Sequence, residues 1–128
     1  MQIKGYLDDL LNETAFHPFI ISKSFSFEER PPDAASVTGL IIFIDGSRLY
    51  FKEIMIVGSD VPHVLKYGYN YVDRDNMLIF RYDNALDPNA KKLPTYPCHK
   101  HLVNELLPSD KPSFEDVLSE IADSIKLT

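Results

Sequence analysis

An Asp-Gly dipeptide at residues 45 and 46 lies between two apolar runs and constrains the fold more than any other feature of this sequence. A type I′ hairpin turn needs two residues with positive φ, and Asp-Gly is a strong short signal for such a turn. The run at residues 36–44 is apolar on both faces, which predicts a central strand covered on both sides. Residues 48–57 then form the next antiparallel strand. A two-residue loop would pair Leu40 with Phe51 and Ile42 with Leu49.

Alternating residues predict further strands on both sides of this hairpin. Between Ile21 and Phe27, apolar residues and Lys23 alternate with serines, which indicates a half-exposed strand that ends at the turn Pro31-Pro32-Asp33. After a turn at residues 59–62, residues 65–71 and 78–83 form a second hairpin around residues 73–76. A symmetric turn there would pair Tyr71 with Leu78, Tyr69 with Phe80 and Tyr67 with Tyr82.

The other face of this second hairpin is polar. The same register puts Gly68 opposite Arg81 and Lys66 opposite Asp83. Because glycine has no side chain, space is expected above the backbone at this point. The polar face therefore gathers Lys66, Asn70, Arg81 and Asp83.

Amphipathic helices are predicted at both ends of the chain. The N-terminal stripe consists of Ile3, Tyr6, Leu7, Leu10 and Leu11, and the C-terminal stripe of Phe114, Val117, Leu118, Ile121, Ala122 and Ile125. Ser113 is the candidate N-cap of the second helix. The predicted fold is α+β: a twisted antiparallel sheet of about five to six strands, built as a meander of hairpins, with a helix at each end.

Length and composition favour one intracellular domain. The chain has 128 residues, of which 45% are hydrophobic, so we treat 1–128 as a single domain. No signal peptide and no membrane span are predicted. No internal disulfide is predicted either, because Cys98 is the single cysteine. The expected location is the cytoplasm. A net charge of −6 argues against general nucleic-acid binding and suits a basic partner, although a local basic site remains open. No cofactor is predicted, since the phosphate-binding and dinucleotide-binding glycine motifs are missing from the sequence.

Two short motifs carry candidate chemistry. His99 and His101 project to the same side of an extended segment and could share a metal ion or a phosphate. A metal would need a third ligand, for which Asp83, Glu53 and His63 are candidates, and surface imidazoles in a loop are the alternative. Arg81 and Asp83 can jointly hold a polar ligand, or can tie the strand end to the loop at residues 85–98.

Five segments in order resemble the TumE family. They are Asp45-Gly46 with Leu49-Tyr50-Phe51-Lys52-Glu53, Tyr69-Asn70-Tyr71, Phe80-Arg81-Tyr82-Asp83-Asn84-Ala85, Pro97-Cys98-His99-Lys100-His101 and the C-terminal helix. The resemblance runs from about residue 38 to residue 126. TumE proteins are described as toxins of bacterial and archaeal toxin–antitoxin pairs. The resemblance implies a small toxin, a cognate antitoxin partner, and a functional surface that includes Arg81, Asp83, Asn84, His99 and His101.

If the target is RNA, the site must supply a base, an acid and a cation for the phosphorane charge. We expect residues 81–84 and 99–101 to converge and to provide these groups. In this hypothesis His99 and His101 are the acid and base, Arg81 and Lys100 stabilise the phosphate, and Asp83 orients a histidine or the arginine. The substrate-binding residues are Asn84, Lys100, Asn70 and Lys66.

Two other function classes stay open at this point. One is a non-catalytic interaction module, in which the Arg-Asp-His group serves the structure. The other is a metal-dependent hydrolase that uses both histidines. An apolar strand at a sheet edge could also support a homodimer.

Overall fold

The computed structural model describes residues 2–57 and 63–126, so the turn predicted at residues 59–62 lies outside the described residues. Helix α1 spans Gln2–Ala15 and helix α2 spans Phe114–Lys126. The strands are β1 Ile20–Arg30, β2 Ala34–Phe43, β3 Arg48–Ile56, β4 His63–Val72, β5 Leu78–Asp83, β6 His99–His101 and β7 Leu106–Pro108. No helix in the described ranges is long and apolar enough to cross a membrane.

The strands form one seven-stranded sheet in sequential order, and every neighbouring pair is antiparallel. This confirms the α+β prediction and the two terminal helices. The strand count is slightly higher than predicted because β6 and β7 have only three residues each. Such short segments, beside a proline-rich loop, carry too few residues to show an alternating pattern.

The first hairpin has a different register from the predicted one. Its loop has three residues, and Gly46 is its last, with φ +85°. The loop is closed by a hydrogen bond from the Phe43 N–H to the Ser47 carbonyl at 2.9 Å. In this turn only Gly46 has a positive φ, whereas a type I′ turn needs two residues with positive φ. The observed pairs are Leu40 with Tyr50, Ile41 with Leu49 and Ile42 with Arg48, so the predicted pairing was wrong by one residue.

The second hairpin has the same kind of loop, with Asn76 in place of the glycine, at φ 67°. The Asp73 carboxylate accepts hydrogen bonds from the N–H groups of Asp75 and Met77, at 2.8 and 3.0 Å, and so stabilises the turn. A β-bulge follows between Tyr71 and Val72. The turn and the bulge shift the register by two residues, so the predicted pairs were wrong. The observed pairs are Gly68 with Asp83, Tyr69 with Tyr82, Asn70 with Arg81 and Tyr71 with Phe80. A shift of two residues keeps the aromatic side chains on one face.

Both helices pack on the same face of the sheet, which we call the covered face. Leu10 of α1 and the predicted stripe of α2, apart from the half-buried Ala122, lie in the hydrophobic core. The Phe51 and Phe114 ring centroids are 5.1 Å apart. Helix α2 begins as predicted, because the Ser113 hydroxyl accepts a hydrogen bond from the Asp116 N–H at 3.0 Å. Tyr6 and Leu7 of the predicted α1 stripe also pack against the core, whereas Leu11 is exposed. The side chain of Ile3 lies outside the described residues.

Neither α1 nor α2 packs on the opposite face, which we call the open face, and the loop before β6 contains a short 3-10 helix at Pro88–Ala90. Strand β2 is therefore covered on one side only, which corrects the prediction of a strand covered on both sides. Val37 and Ile41 are buried on the covered face, while Thr38 is exposed and Leu40 is half-buried on the open face. On this face Lys66, Asn70, Arg81 and His101 keep exposed surface, whereas Asp83 and His99 are buried.

Candidate functional site

Strand β6 brings the two predicted motifs together on the open face. Arg81 pairs with His101, and Asp83 pairs with His99. Residues two apart on a strand point to the same side, so four side chains gather around one spot. We call Arg81, Asp83, His99 and His101 the Asp83 cluster.

Asp83 is the centre of this cluster. Its side chain is only 9% exposed. One oxygen, Oδ2, accepts a hydrogen bond from Arg81 Nε at 2.8 Å and lies 3.7 Å from His101 Nε2. The other oxygen, Oδ1, accepts a hydrogen bond from the Ala85 N–H at 3.1 Å and lies 2.8 Å from His99 Nε2. A carboxylate held by several partners fixes the groups around it.

His99 is fully buried, and its two ring nitrogens differ. Nδ1 lies 2.6 Å from the Pro97 carbonyl oxygen. Because a carbonyl can only accept, Nδ1 carries the proton and donates it. Nε2 is buried and has no hydrogen-bond partner, since its close contact with Asp83 Oδ1 lacks hydrogen-bond geometry. Its lone pair is thus aimed into the cluster. The His99 and His101 rings meet edge to face, with centroids 4.7 Å apart.

His101 and Arg81 are the members of the cluster that solvent reaches. Their side chains are 23% and 46% exposed. Partial burial lowers the pKa of His101 below its ordinary value, and this effect outweighs the attraction of Asp83, which raises it. The lower pKa of His101 favours the neutral imidazole, which is the form that can accept a proton or bind a metal ion.

A groove runs along the open face beside the cluster. It has a volume of about 750 Å³ and is lined by Lys52, Ile54, Leu65, Lys66, Tyr67, Gly68, Asn84, Ala85, Leu86 and Pro97. Gly68 lies opposite Asp83, and a Cβ placed on it would meet nothing within 4 Å. The groove thus combines two lysines with open space at Gly68, although the whole chain is acidic. None of the four residues of the Asp83 cluster lines the groove, and Gly68 and Asn84 connect the two regions.

The other predicted substrate-binding residues are placed differently. Asn70 is half-buried on the open face opposite Arg81, and Lys66 is exposed on the groove wall. The Asn84 amide holds β4, because its oxygen accepts from the Tyr67 N–H at 3.1 Å and its nitrogen donates to the Leu65 carbonyl at 2.9 Å.

Lys100 does not join the cluster. It lies on the covered face, where its Nζ is 2.7 Å from Glu120 Oε2 and 4.8 Å from the Tyr82 ring centroid. The alternation of a strand requires this, since Lys100 lies between the two histidines. The predicted convergence of residues 99–101 therefore holds for the histidines and not for Lys100.

Of the candidate third ligands, Asp83 alone is near both histidines. Glu53 is fully buried on the covered face, where it accepts hydrogen bonds from the Tyr6 and Tyr69 hydroxyls and lies 3.6 Å from Lys111 Nζ. Burial and the neighbouring Glu53 charge raise the pKa of both tyrosines far above the ordinary value. His63 is exposed at the start of β4. The sequence did not reveal the Glu53 network, because its partners come from α1, β4 and the segment before α2.

A family model described as "Toxin TumE" matches residues 7–126, a span that includes the Asp83 cluster and the whole groove. No curated protein and no solved structure matches the chain.

Proposed function

Since the chain belongs to the TumE toxin family, and family membership implies an antitoxin partner, we propose that this toxin acts by cleaving RNA at the Asp83 cluster. One observation supports this most: a reachable imidazole and a reachable guanidinium are both anchored on one buried carboxylate, at the side of an open groove. A purely structural role would favour an Arg81 and a His101 that are fully buried and hydrogen-bonded to each other. Both side chains are instead partly exposed.

The proposed roles follow from reach and charge. His101 takes the proton of the attacking 2′-hydroxyl, and a solvent water on this open face gives a proton to the leaving 5′-oxygen. The Arg81 guanidinium is held by Asp83 and stabilises the charge that develops on the phosphorane. His99 is buried, so it positions Asp83 and His101 and does not exchange protons with the RNA. This narrows the earlier hypothesis, in which both histidines were acid and base.

The groove supplies the binding surface. Lys52 and Lys66 line it and can neutralise phosphates of the RNA segment that extends from the scissile bond over β4 and β3. Gly68 leaves room for a nucleotide to approach Asp83 and Arg81. Because the chain has a net charge of −6, RNA binding is expected only where basic side chains are grouped, as they are on this face.

Filling the groove should remove the activity and keep the fold. In cells that express the Gly68→Val variant, we expect RNA degradation and growth arrest to fall by about tenfold or more, because the added side chain occupies the proposed nucleotide site. Valine suits a strand, and its Cβ would meet no atom within 4 Å, so the protein should remain folded. The measurement is RNA integrity after induction, with circular dichroism of the purified variant.

Thr38→Val is the matched control, since it places the same side chain on the open face of β2, three strands from β5, with almost no change in volume. It should retain full activity. Intact RNA on expression of the wild type, or equal RNA degradation by Gly68→Val and Thr38→Val, would contradict the proposed function.

A further inference from the structure

We propose that Asp83, His99 and His101 together bind one divalent first-row transition-metal ion of the Zn²⁺ type. The binding is independent of what the toxin cleaves, and only the part of the ion in the reaction rests on the proposed function. No other group of three or more histidine, cysteine, aspartate or glutamate side chains in residues 2–57 and 63–126 comes close enough to share an ion.

The donor atoms have the spacing of a metal site. One donor atom from each of the three residues lies within 4.8 Å of the other two. His99 Nε2 is 2.8 Å from Asp83 Oδ1, and His101 Nε2 is 3.7 Å from Asp83 Oδ2. Zn²⁺ binds imidazole nitrogen and carboxylate oxygen at about 2.0–2.2 Å, which puts neighbouring donors about 3–4 Å apart. An ion therefore fits with small side-chain adjustments.

The environment of His99 points to an ion more strongly than the distances do. A metal-binding histidine commonly donates its second ring N–H to a carbonyl, which fixes the tautomer and the ring orientation. The His99 Nδ1–H does this with the Pro97 carbonyl at 2.6 Å. The lone pair of Nε2 is then buried without a hydrogen bond. Such a group is costly in a protein interior unless something pairs with it.

A proton on Nε2 would satisfy this atom less well than an ion. The Asp83 oxygen is 2.8 Å away but lies off the direction of a ring N–H, so no hydrogen bond forms. An ion off the line between His99 Nε2 and Asp83 Oδ1 can contact both of these atoms. The His101 imidazole is close enough to contact the same ion. Two nitrogens and one oxygen favour Zn²⁺, Co²⁺, Fe²⁺ or Mn²⁺ over Mg²⁺, which prefers oxygen ligands alone.

Three protein ligands leave an open position on the ion, as catalytic zinc sites do. Arg81 holds the second oxygen of Asp83 and is largely exposed, so a phosphate could contact the ion and the guanidinium at the same time. With the ion bound, His101 would be a ligand and not the base, and the ion would supply the base by lowering the pKa of a bound water.

Metal titration of the purified chain tests the proposal. After treatment with a chelator, the full-length protein is titrated with Zn²⁺ by calorimetry and with Co²⁺ by visible absorption. We expect one ion per chain, a raised melting temperature, and no comparable binding of Mg²⁺. His101→Ala should weaken binding by more than about 100-fold, since even outer partners of metal ligands contribute 10–100-fold. His101 is partly exposed, so this variant should fold, whereas His99→Ala removes a buried ring.

The chain offers two matched controls. His63→Ala removes an exposed histidine outside the cluster, and Cys98→Ser removes the single cysteine, which precedes His99 in the sequence. Both variants should bind Zn²⁺ as the wild type does. Weak binding, or equal binding by wild type and His101→Ala, would overturn the metal site.

RNA cleavage measured on the same samples separates the two proposals. Tight Zn²⁺ binding with no cleavage would overturn the proposed function and keep the metal site. Cleavage that survives the chelator, together with no Zn²⁺ binding, would overturn the metal site and keep the function.

Discussion

Replacing His101 by alanine should lower the rate of RNA cleavage by about 10²–10⁴-fold, the usual contribution of general acid–base catalysis. His101 is the reachable imidazole of the Asp83 cluster, and either proposed role, base or metal ligand, uses its Nε2. Asp83 keeps its hydrogen bonds to Arg81 and to the Ala85 N–H in the variant. The free energy of unfolding should therefore change by less than about 1 kcal/mol.

Rates are measured on purified protein with a labelled RNA, and unfolding is followed in urea. His63→Ala is the control, because it removes an exposed histidine from a strand end without touching the cluster. Retention of more than about a tenth of the wild-type rate by a folded His101→Ala protein would exclude the proposed role.

Replacing Glu53 by alanine should lower the free energy of unfolding by about 2–5 kcal/mol. Glu53 is fully buried on the covered face and accepts hydrogen bonds from the Tyr6 and Tyr69 hydroxyls. Alanine leaves these two hydroxyls without an acceptor and leaves a cavity between α1 and the sheet. Such a loss is a large part of the roughly 5–15 kcal/mol that stabilises a typical domain.

Glu53→Gln is the matched control. It keeps the volume and one acceptor oxygen, and its amide N–H can donate to a tyrosine oxygen, so the loss should be clearly smaller than for alanine. Equilibrium unfolding in urea measures both variants. A change below about 0.5 kcal/mol for Glu53→Ala would show that this network does not stabilise the fold.

Alternation along the strands predicted which side chains share a face. The aromatic residues of β4 and β5 lie on the covered face, and Arg81 and Asp83 lie on the open face, as the period of two requires. The pairing registers were predicted incorrectly, because both hairpins have three-residue loops with a single residue at positive φ. An Asp-Gly pair does not distinguish this loop from a two-residue one.

The candidate site was also predicted only in part. The convergence of the histidines with Arg81 and Asp83 followed from two motifs separated by one loop, and strand alternation could have excluded Lys100. The burial of His99 and its Pro97 contact depend on the irregular loop at residues 85–98, whose path has no periodic signal. Glu53 occupies a core position with a polar side chain, and its partners lie far away in the sequence.

The structure of the toxin with a non-cleavable RNA oligonucleotide, carrying a 2′-deoxy sugar at the cleavage position, tests the central claim most directly. We predict that the scissile phosphate lies against Arg81 and His101, and that the chain continues over Gly68 towards Lys66. An oligonucleotide bound on the covered face or at an edge of the sheet, with the Asp83 cluster free of contacts, would contradict it.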